Sequence, residues 1–313
     1  MQFNKPLFWD SKKISFWSIL LFPFSIIYLI IVWIIKIPSI FRKYKYPCSI
    51  ICVGNIYLGG TGKTPLAAEI FKFLKSNGKK PSFIKKYYNY LDDEINILKE
   101  IGDTFYAKNR LSAIGQSISN GNDVAILDDG YQDFSIKPNF SILCFSSKQL
   151  IGNGFVIPSG PLRESLSAIL RADCIVINGN KTKETLEFEK KINTKFKRKK
   201  LPFFYSKYKI KNTNKLENDE VTAFAGIGNP SNFFDLLSQN KINVKNSFSF
   251  PDHHKYSKTD FDKILKDKST KIITTKKDYL RLNDEQREVC DYIEIDLEIE
   301  NRDEFKSLIE NHL

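Results

Sequence analysis

The chain has 313 residues, 48 Lys+Arg against 36 Asp+Glu, a formal charge of +12 and 42% hydrophobic residues. That length suits two domains, and so much apolar material excludes a disordered polycation; 15 Gly and 12 Pro exclude collagen-like or Pro-rich chains. Five Cys without short framework spacing read as free thiols of a reducing compartment. The basic excess is local: seven Lys/Arg against one acid in residues 1–50 and thirteen against three in 181–215, with the remainder net acidic. Solvating surface lysine is an equally simple reading of the second stretch. No zinc pattern or RNP-type aromatic motif accompanies the charge, so nucleic acid is not expected as a partner.

In chain order, the first feature is an uncharged run of 22 residues, Ile14 to Ile35, against the ~20 that a helix needs to cross a bilayer core. Lys12 and Lys13 precede it, Lys36, Arg42, Lys43 and Lys45 follow it, and Trp9, Trp17, Tyr28 and Trp33 suit a membrane interface. The run is long and no A-x-A-like site follows, which disfavours a cleaved signal peptide. A buried core helix is the bland alternative; Pro23 could kink the segment or split it, and both spanning and one-leaflet arrangements fit.

Residues 49–53 read as a buried strand, followed by a Gly-rich loop and an amphipathic helix from 64 to 76. Strand, loop and helix in this order suit a phosphate loop, in which backbone N–H groups point at phosphate oxygens. The nucleotide-binding residues would be Tyr57, Leu58, Gly59, Gly60, Thr61, Gly62, Lys63 and Thr64. Lys63 would reach the β/γ-phosphates, and Thr64 would ligate Mg²⁺. The consensus Gly is replaced by Tyr57, and Leu58 stands where partitioning-type ATPases carry a signature Lys.

Further strands are expected at 82–86, 124–128, 140–145 and 174–178, with a helix at 111–119. Val124–Leu127 deliver Asp128 and Asp129 at a strand end, the form of a metal-binding Walker B strand; a turn Asp pair before Gly130 is the alternative. Because successive side chains of a strand face opposite ways, at most one of the pair is a direct ligand. A basic helix over 181–200 and an alternating stretch Phe203–Ile210 precede a second α/β unit. That unit should hold strands 221–226, 244–248, 271–275 and 291–296 and helices 230–239 and 258–267, with Asn229 and Pro230 as N-cap and N1.

Several ordered fragments resemble the tetraacyldisaccharide 4′-kinases of lipid A biosynthesis: VGNIYLGGTGKTP (53–65), LDDGYQD (127–133), GNGFVIPSGPLRE (152–164), AFAGIGNPSNFF (223–234), FPDHH (250–254) and TTKKD (274–278). The resemblance implies an α/β fold: a P-loop NTPase-like, mostly parallel sheet domain, a second smaller α/β domain, and an N-terminal membrane-associated helix. It divides the chain into an anchor (1–45), a P-loop kinase domain (46–180), a basic linker (181–215) and a C-terminal domain (216–313). It implies transfer of the γ-phosphoryl group of ATP, with Mg²⁺, to the 4′-hydroxyl of an acylated disaccharide 1-phosphate glycolipid. The place would be the lipid surface at the cytoplasmic face of the bacterial inner membrane. By resemblance Asp93 is the base for the sugar hydroxyl, Glu94 a metal-side carboxylate beside Thr64, Asp128 and Asp129, and His253 the partner that orients Asp93. His253 would reach Asp93 across an interdomain cleft that closes on substrate. Arg163 suits an anionic substrate group; a helix-surface salt bridge to Glu164 or Asp173 fits equally.

The chain departs from the family in places: Lys85-Lys86-Tyr87-Tyr88-Asn89 replaces a Ser-Arg-Gly-Tyr-Gly-like stretch, Asp92 replaces a Gly, Gln132-Asp133 replaces Gln-His, and Lys276 replaces a Glu. The competing reading is a membrane-tethered nucleotide-binding protein without kinase activity, which would need neither Asp93 nor His253.

Overall fold

The computed structural model describes residues 5–11, 13–40, 46–88, 92–197, 199–211, 219–267 and 269–313; Lys12, Arg42, Lys43, Lys45 and Asn89, singled out above, lie outside them. The first elements are α1 (Phe16–Ile40), β1 (Ser49–Gly54), α2 (Lys63–Ser76), β2 (Pro81–Lys86), α3 (Asp92–Ile101), β3 (Thr104–Ala107), α4 (Arg110–Ser119), β4 (Val124–Asp128), β5 (Phe140–Ser146), β6 (Cys174–Asn178), α5 (Lys183–Lys195) and β7 (Phe203–Ile210). There follow β8 (Glu220–Ala225), α6 (Pro230–Gln239), β9 (Asn243–Ser249), α7 (Lys258–Ile264), β10 (Lys271–Thr275), α8 (Lys276–Tyr279), α9 (Asp284–Glu288), β11 (Asp291–Ile293), β12 (Ile295–Ile299) and α10 (Arg302–Glu310). The chain divides into a larger compact unit, 5–88, 98–207 and 297–313, and a smaller one that takes the described residues of 89–97 and 208–296.

An eight-stranded sheet, ordered β12-β7-β6-β5-β1-β4-β2-β3, carries the larger unit. Its pairings from β3 through β7 are all parallel. Strands covered on both faces need continuous apolar runs. Ile50–Val53, Val124–Leu127, Ile142–Phe145 and Cys174–Ile177 meet that demand and are buried. Register places Val53 opposite Asp128 and Ile84 opposite Leu127. Gly54 and Asp128 therefore end neighbouring strands, and Lys85 lies one residue before the end of the next, at one sheet edge, where a doubly wound fold binds ligands. The smaller unit has a four-stranded parallel sheet, β11-β10-β8-β9, whose core includes Val221, Ala223, Phe233, Leu237 and Ile273. The fold is thus the expected α/β, P-loop NTPase-like class with a second, smaller α/β unit.

Three expectations need correction. The described residues of the stretch expected as a basic linker form α5 and then β7, which pairs with β6 from Ile175–Phe203 to Asn178–Ser206; residues 198 and 212–215 lie outside the described residues. The C-terminal residues 297–313 belong to the larger unit, where Phe305 stacks edge-on against Phe204 and Ser49 bonds the Leu313 carbonyl. The strand expected at 291–296 is two strands, and β11 and β12 join different sheets.

Helix α1 is continuous through Pro23. One stripe of it docks on the 153–164 loop of the larger unit. Asn153 donates to Ser18 Oγ (3.1 Å), Ser25 Oγ donates to the Val156 carbonyl (2.7 Å), Tyr28 donates to the Arg163 carbonyl (3.1 Å) and Lys36 pairs with Glu164 (2.8 Å). Its other faces expose Phe16, Trp17, Ile19, Ile30, Trp33 and Ile34.

Candidate active site

The phosphate loop follows directly from β1. Asn55, fully buried, donates from Nδ2 to the Gly59 carbonyl (3.1 Å) and to Thr61 Oγ1 (3.0 Å), so one side chain folds the loop back on itself. Gly62 closes it at φ 85°, a left-handed conformation that glycine adopts without a Cβ clash, and α2 starts at Lys63. Tyr57, in place of the consensus glycine, causes no obstruction because its ring is buried and its hydroxyl is engaged by Asp10 and Lys5. Burial, then the bond to Asp10, push its phenol pKa far above the ordinary value. The loop is also stitched to residues 161–163: Leu58 N–H donates to the Pro161 carbonyl (2.8 Å) and Arg163 N–H to the Ile56 carbonyl (2.7 Å).

The two strand-end carboxylates have different surroundings. Asp128 is completely buried; its Oδ2 accepts from Thr64 Oγ1 (3.0 Å) and from Lys85 Nζ (2.6 Å), a cation that is itself 3% exposed. Among the described residues its Oδ1 has no hydrogen-bond partner. Asp129 leaves the strand at φ 58° and turns the other way, onto Arg163 Nη1 (3.1 and 3.2 Å) and toward Lys63 Nζ (3.8 Å). Burial would raise its pKa, but the charges of Lys63, Arg163 and Lys85 outweigh that and hold it at about 2. Arg163 thus pairs with Asp129 and Gln132, while Glu164 goes to Arg171 and Lys36 and Asp173 goes to Lys199.

Among the described residues no three His, Cys, Asp or Glu side chains gather as a metal site. Glu94, expected with Thr64, Asp128 and Asp129, lies in the smaller unit and pairs with Lys277 at 2.7 Å. The residues at the loop still suit Mg²⁺ delivered by a nucleotide, which uses one or two carboxylates, phosphate oxygens and water. Thr64 and the unpartnered Asp128 Oδ1 are the groups that could hold it.

A cavity of about 370 Å³ opens beside Asp129, walled by Ile35 and Pro38 of α1 and by Lys86, Arg110 and Arg163. Arg110 is fixed by the Asp129 carbonyl (2.7 Å) and Asp133 (3.2 Å).

Asp93 and His253 both lie in the smaller unit, so the expected closure between domains is not what brings them together. Their nearest atoms, His253 Nδ1 and Asp93 Oδ2, are 3.7 Å apart, too far for a hydrogen bond. Arg281 is bonded to both. It donates from Nε (2.9 Å) and Nη2 (2.5 Å) to Asp93 Oδ2, and from Nη2 to His253 Nδ1 (3.2 Å). Burial, then the Lys277 charge, hold His253 below the ordinary imidazole pKa. Lys85, Arg110 and Arg281 were not anticipated as site residues. The signal for Arg281 was its place three residues after Asp278, at the end of the TTKKD fragment.

A Gly-rich loop between a buried strand and a helix, with Lys63-Thr64 beside a strand-end Asp on a parallel sheet, defines a phosphate-loop nucleotide-binding protein. A family model described as tetraacyldisaccharide-1-P 4′-kinase (LpxK) matches residues 17–103 and 92–313. The chain is 41% identical over 307 residues to the tetraacyldisaccharide 4′-kinase of Pelagibacter ubique, covering 96% of this chain and 95% of that one. It is 30% identical over 319 residues to the enzyme of the same name from Francisella tularensis subsp. novicida, covering 93% and 98%. LpxK from Aquifex aeolicus, solved in complex with ATP, has the same fold, with a TM-score of 0.73 at 24% identity over 94% of this chain and 99% of that one. The chain belongs to the tetraacyldisaccharide 4′-kinase family.

Proposed function

We propose that the chain transfers the γ-phosphoryl group of ATP to the 4′-hydroxyl of a tetraacyl glucosamine disaccharide 1-phosphate, the step that forms lipid IVA. The observation that carries this reading, beside family membership, is the meeting of the phosphate loop's Lys63 and Thr64 with the strand-end carboxylates, Lys63 with Asp129 and Thr64 with Asp128. The loop N–H groups and Lys63 cradle the phosphates, and Thr64 with Asp128 would hold Mg²⁺, which would supply charge neutralisation for the transferring group. Asp93 takes the proton of the sugar hydroxyl; a carboxylate suffices, because phosphoryl transfer depends mainly on positioning and charge neutralisation. The cavity beside Asp129 takes the acceptor headgroup. Its apolar wall of α1 residues faces the acylated part, and Lys86, Arg110 and Arg163 face the anionic part.

The docked stripe of α1 supports an anchor that lies in one leaflet. Its contacts run from Ser18 to Lys36, about 27 Å at 1.5 Å per residue. A helix crossing the bilayer in that state would carry loop backbone and the Lys36–Glu164 pair into hydrocarbon, where unsatisfied polar groups cost several kcal/mol each. The exposed faces instead enter the acyl region while the stripe stays on the protein. We place the chain at the cytoplasmic face of the inner membrane, where ATP is available.

Purified chain with ATP, Mg²⁺ and the tetraacyl disaccharide 1-phosphate in detergent should yield the 4′-phosphorylated product. ATP binding without product, while an active homologue turns over under the same conditions, would leave the nucleotide-binding reading instead.

A further inference from the structure

Lys85 is a buried cation to which the reading above gives no part. Its β2 position lies one residue past the Ile84–Leu127 pairing, so the sheet itself sets its ammonium beside the carboxylate that ends β4. Lys85 Nζ and Thr64 Oγ1 both donate to Asp128 Oδ2, at 2.6 and 3.0 Å. The two donors share one oxygen and leave Oδ1, which has no partner among the described residues, open to other ligands. Asp129 faces Arg163 Nη1 at 3.1 Å and Lys63 Nζ at 3.8 Å, and the charge of Lys85 reaches it as well. Two carboxylates thus meet three cations, an excess of one positive charge beside the phosphate loop. A bare divalent cation is drawn to surplus carboxylate charge, and this cluster has none. It suits an anion.

We infer that Lys85 is a fixed charge of the nucleotide site: it makes ATP binding only weakly dependent on Mg²⁺, and it keeps divalent cations from the Thr64–Asp128 position until a nucleotide brings them. Removing the ammonium acts twice in one direction. The phosphates lose an attraction, and Asp128 regains an uncompensated charge that repels them and attracts a metal ion. A residue that merely held Asp128 in place would act the other way, since a misplaced Asp128 harms the metal-bound complex first. The inference rests on the nucleotide reading of the loop and is independent of the acceptor and of the transfer step.

Calorimetry with ATP, in EDTA and in Mg²⁺, tests this without turnover. The wild-type chain should bind ATP in EDTA within about tenfold of its affinity in Mg²⁺. In Lys85→Met the affinity in EDTA should fall about 10–100-fold, the worth of one unit charge a few ångströms away at intermediate dielectric, and the affinity in Mg²⁺ by a smaller factor. Mn²⁺ titrated without nucleotide and read by electron paramagnetic resonance should bind Lys85→Met about tenfold more tightly than wild type. Lys85→Gln keeps a donor beside Asp128 but lacks the charge; it should behave as Lys85→Met does, and it covers the case in which that variant does not fold. Equal losses with and without Mg²⁺, a larger loss with it, or wild-type affinity of Lys85→Gln in EDTA would overturn the inference. So would wild-type ATP binding that vanishes in EDTA while it persists in Mg²⁺. A wild-type chain that binds ATP under neither condition would remove the nucleotide reading, and this inference with it.

Discussion

Asp128 and Asp93 are both buried carboxylates paired with a buried cation, but they are held by different means. Asp128 ends β4, and parallel register with β1 and β2 sets its backbone before any side chain acts; Lys85, on the neighbouring strand, then meets it at 2.6 Å. Asp93 lies in the first turn of α3, and the contacts that fix its carboxylate come from one side chain, Arg281, nearly two hundred residues later in sequence. A backbone-set carboxylate ties function to stability, since disturbing it disturbs the sheet. A side-chain-set carboxylate can lose its orientation while its unit remains folded. The nucleotide end should therefore respond to substitution through folding and ATP binding together, and the Asp93 end through turnover.

The largest effect expected breaks the second case. Asp93→Asn keeps the shape and removes the proton acceptor, so kcat should fall by ~10²–10⁴, the usual worth of a general base. ATP affinity, measured by calorimetry, should stay within about twofold. A parallel loss of ATP binding would mean that Asp93 belongs to the nucleotide site and that the contrast is false.

Lys85→Met tests the first case. Breaking a buried pair by removing one member costs roughly 3–5 kcal/mol, because the other charge is left in the interior. Lys85 and Asp128 are 3% and 0% exposed, so that range applies. Urea denaturation should show the loss, and ATP should bind more weakly, since Asp128 no longer has the ammonium that orients it toward Thr64. Full stability in this variant would show that strand register alone holds Asp128.

The same contrast runs along α1, which has a docked stripe and lipid-facing sides. Ile30 and Ile34 are about half exposed and touch the acyl region in the one-leaflet arrangement. Replacing each with Ser should weaken vesicle partitioning about tenfold or more per residue, from ~1.5–3 kcal/mol of apolar transfer. Turnover on detergent-dispersed substrate should be little changed. Unchanged flotation with vesicles would mean that other residues anchor the chain.

What could be read from the sequence follows this division. The phosphate loop was legible because strand, loop and helix are contiguous, and Asp128 because four apolar residues lead into it. Phe203–Ile210 alternates visibly, yet its partner β6 is set by tertiary packing, so a strand of the main sheet read as a linker. Glu294 between β11 and β12 gives no local sign that the chain leaves one sheet for another. Beyond its place three residues after Asp278, Arg281 carries no pattern of its own. Its contacts are with Asp93, Gly226, His253 and Asp278, which converge from α3, two loops and α8, and no spacing rule spans such distances.

The smallest effect expected concerns acid, and it refines the α1 comparison. Glu164 is 1% exposed and joins Lys36 of α1 to Arg171. Burial alone would raise its pKa, yet the bonds and charges of Arg171 and Lys36 hold it below the ordinary value of 4.5. A carboxyl whose folded value lies below its unfolded one adds stability that is fully present above the unfolded value. That contribution is lost as pH falls through the folded one. Stability measured by denaturation should therefore drop on acidification below about pH 4.5, where the unfolded chain starts to take up the proton first. Part of that drop should disappear in Glu164→Gln, which starts from a lower plateau at pH 7 and has no carboxyl to titrate. Lys36→Met should remove a smaller part, since Arg171 remains. If Glu164→Gln reproduces the whole wild-type acid limb, the ion pairs under α1 contribute nothing that pH can reach, and the helix is held by Ser18, Ser25, Tyr28 and its apolar contacts alone.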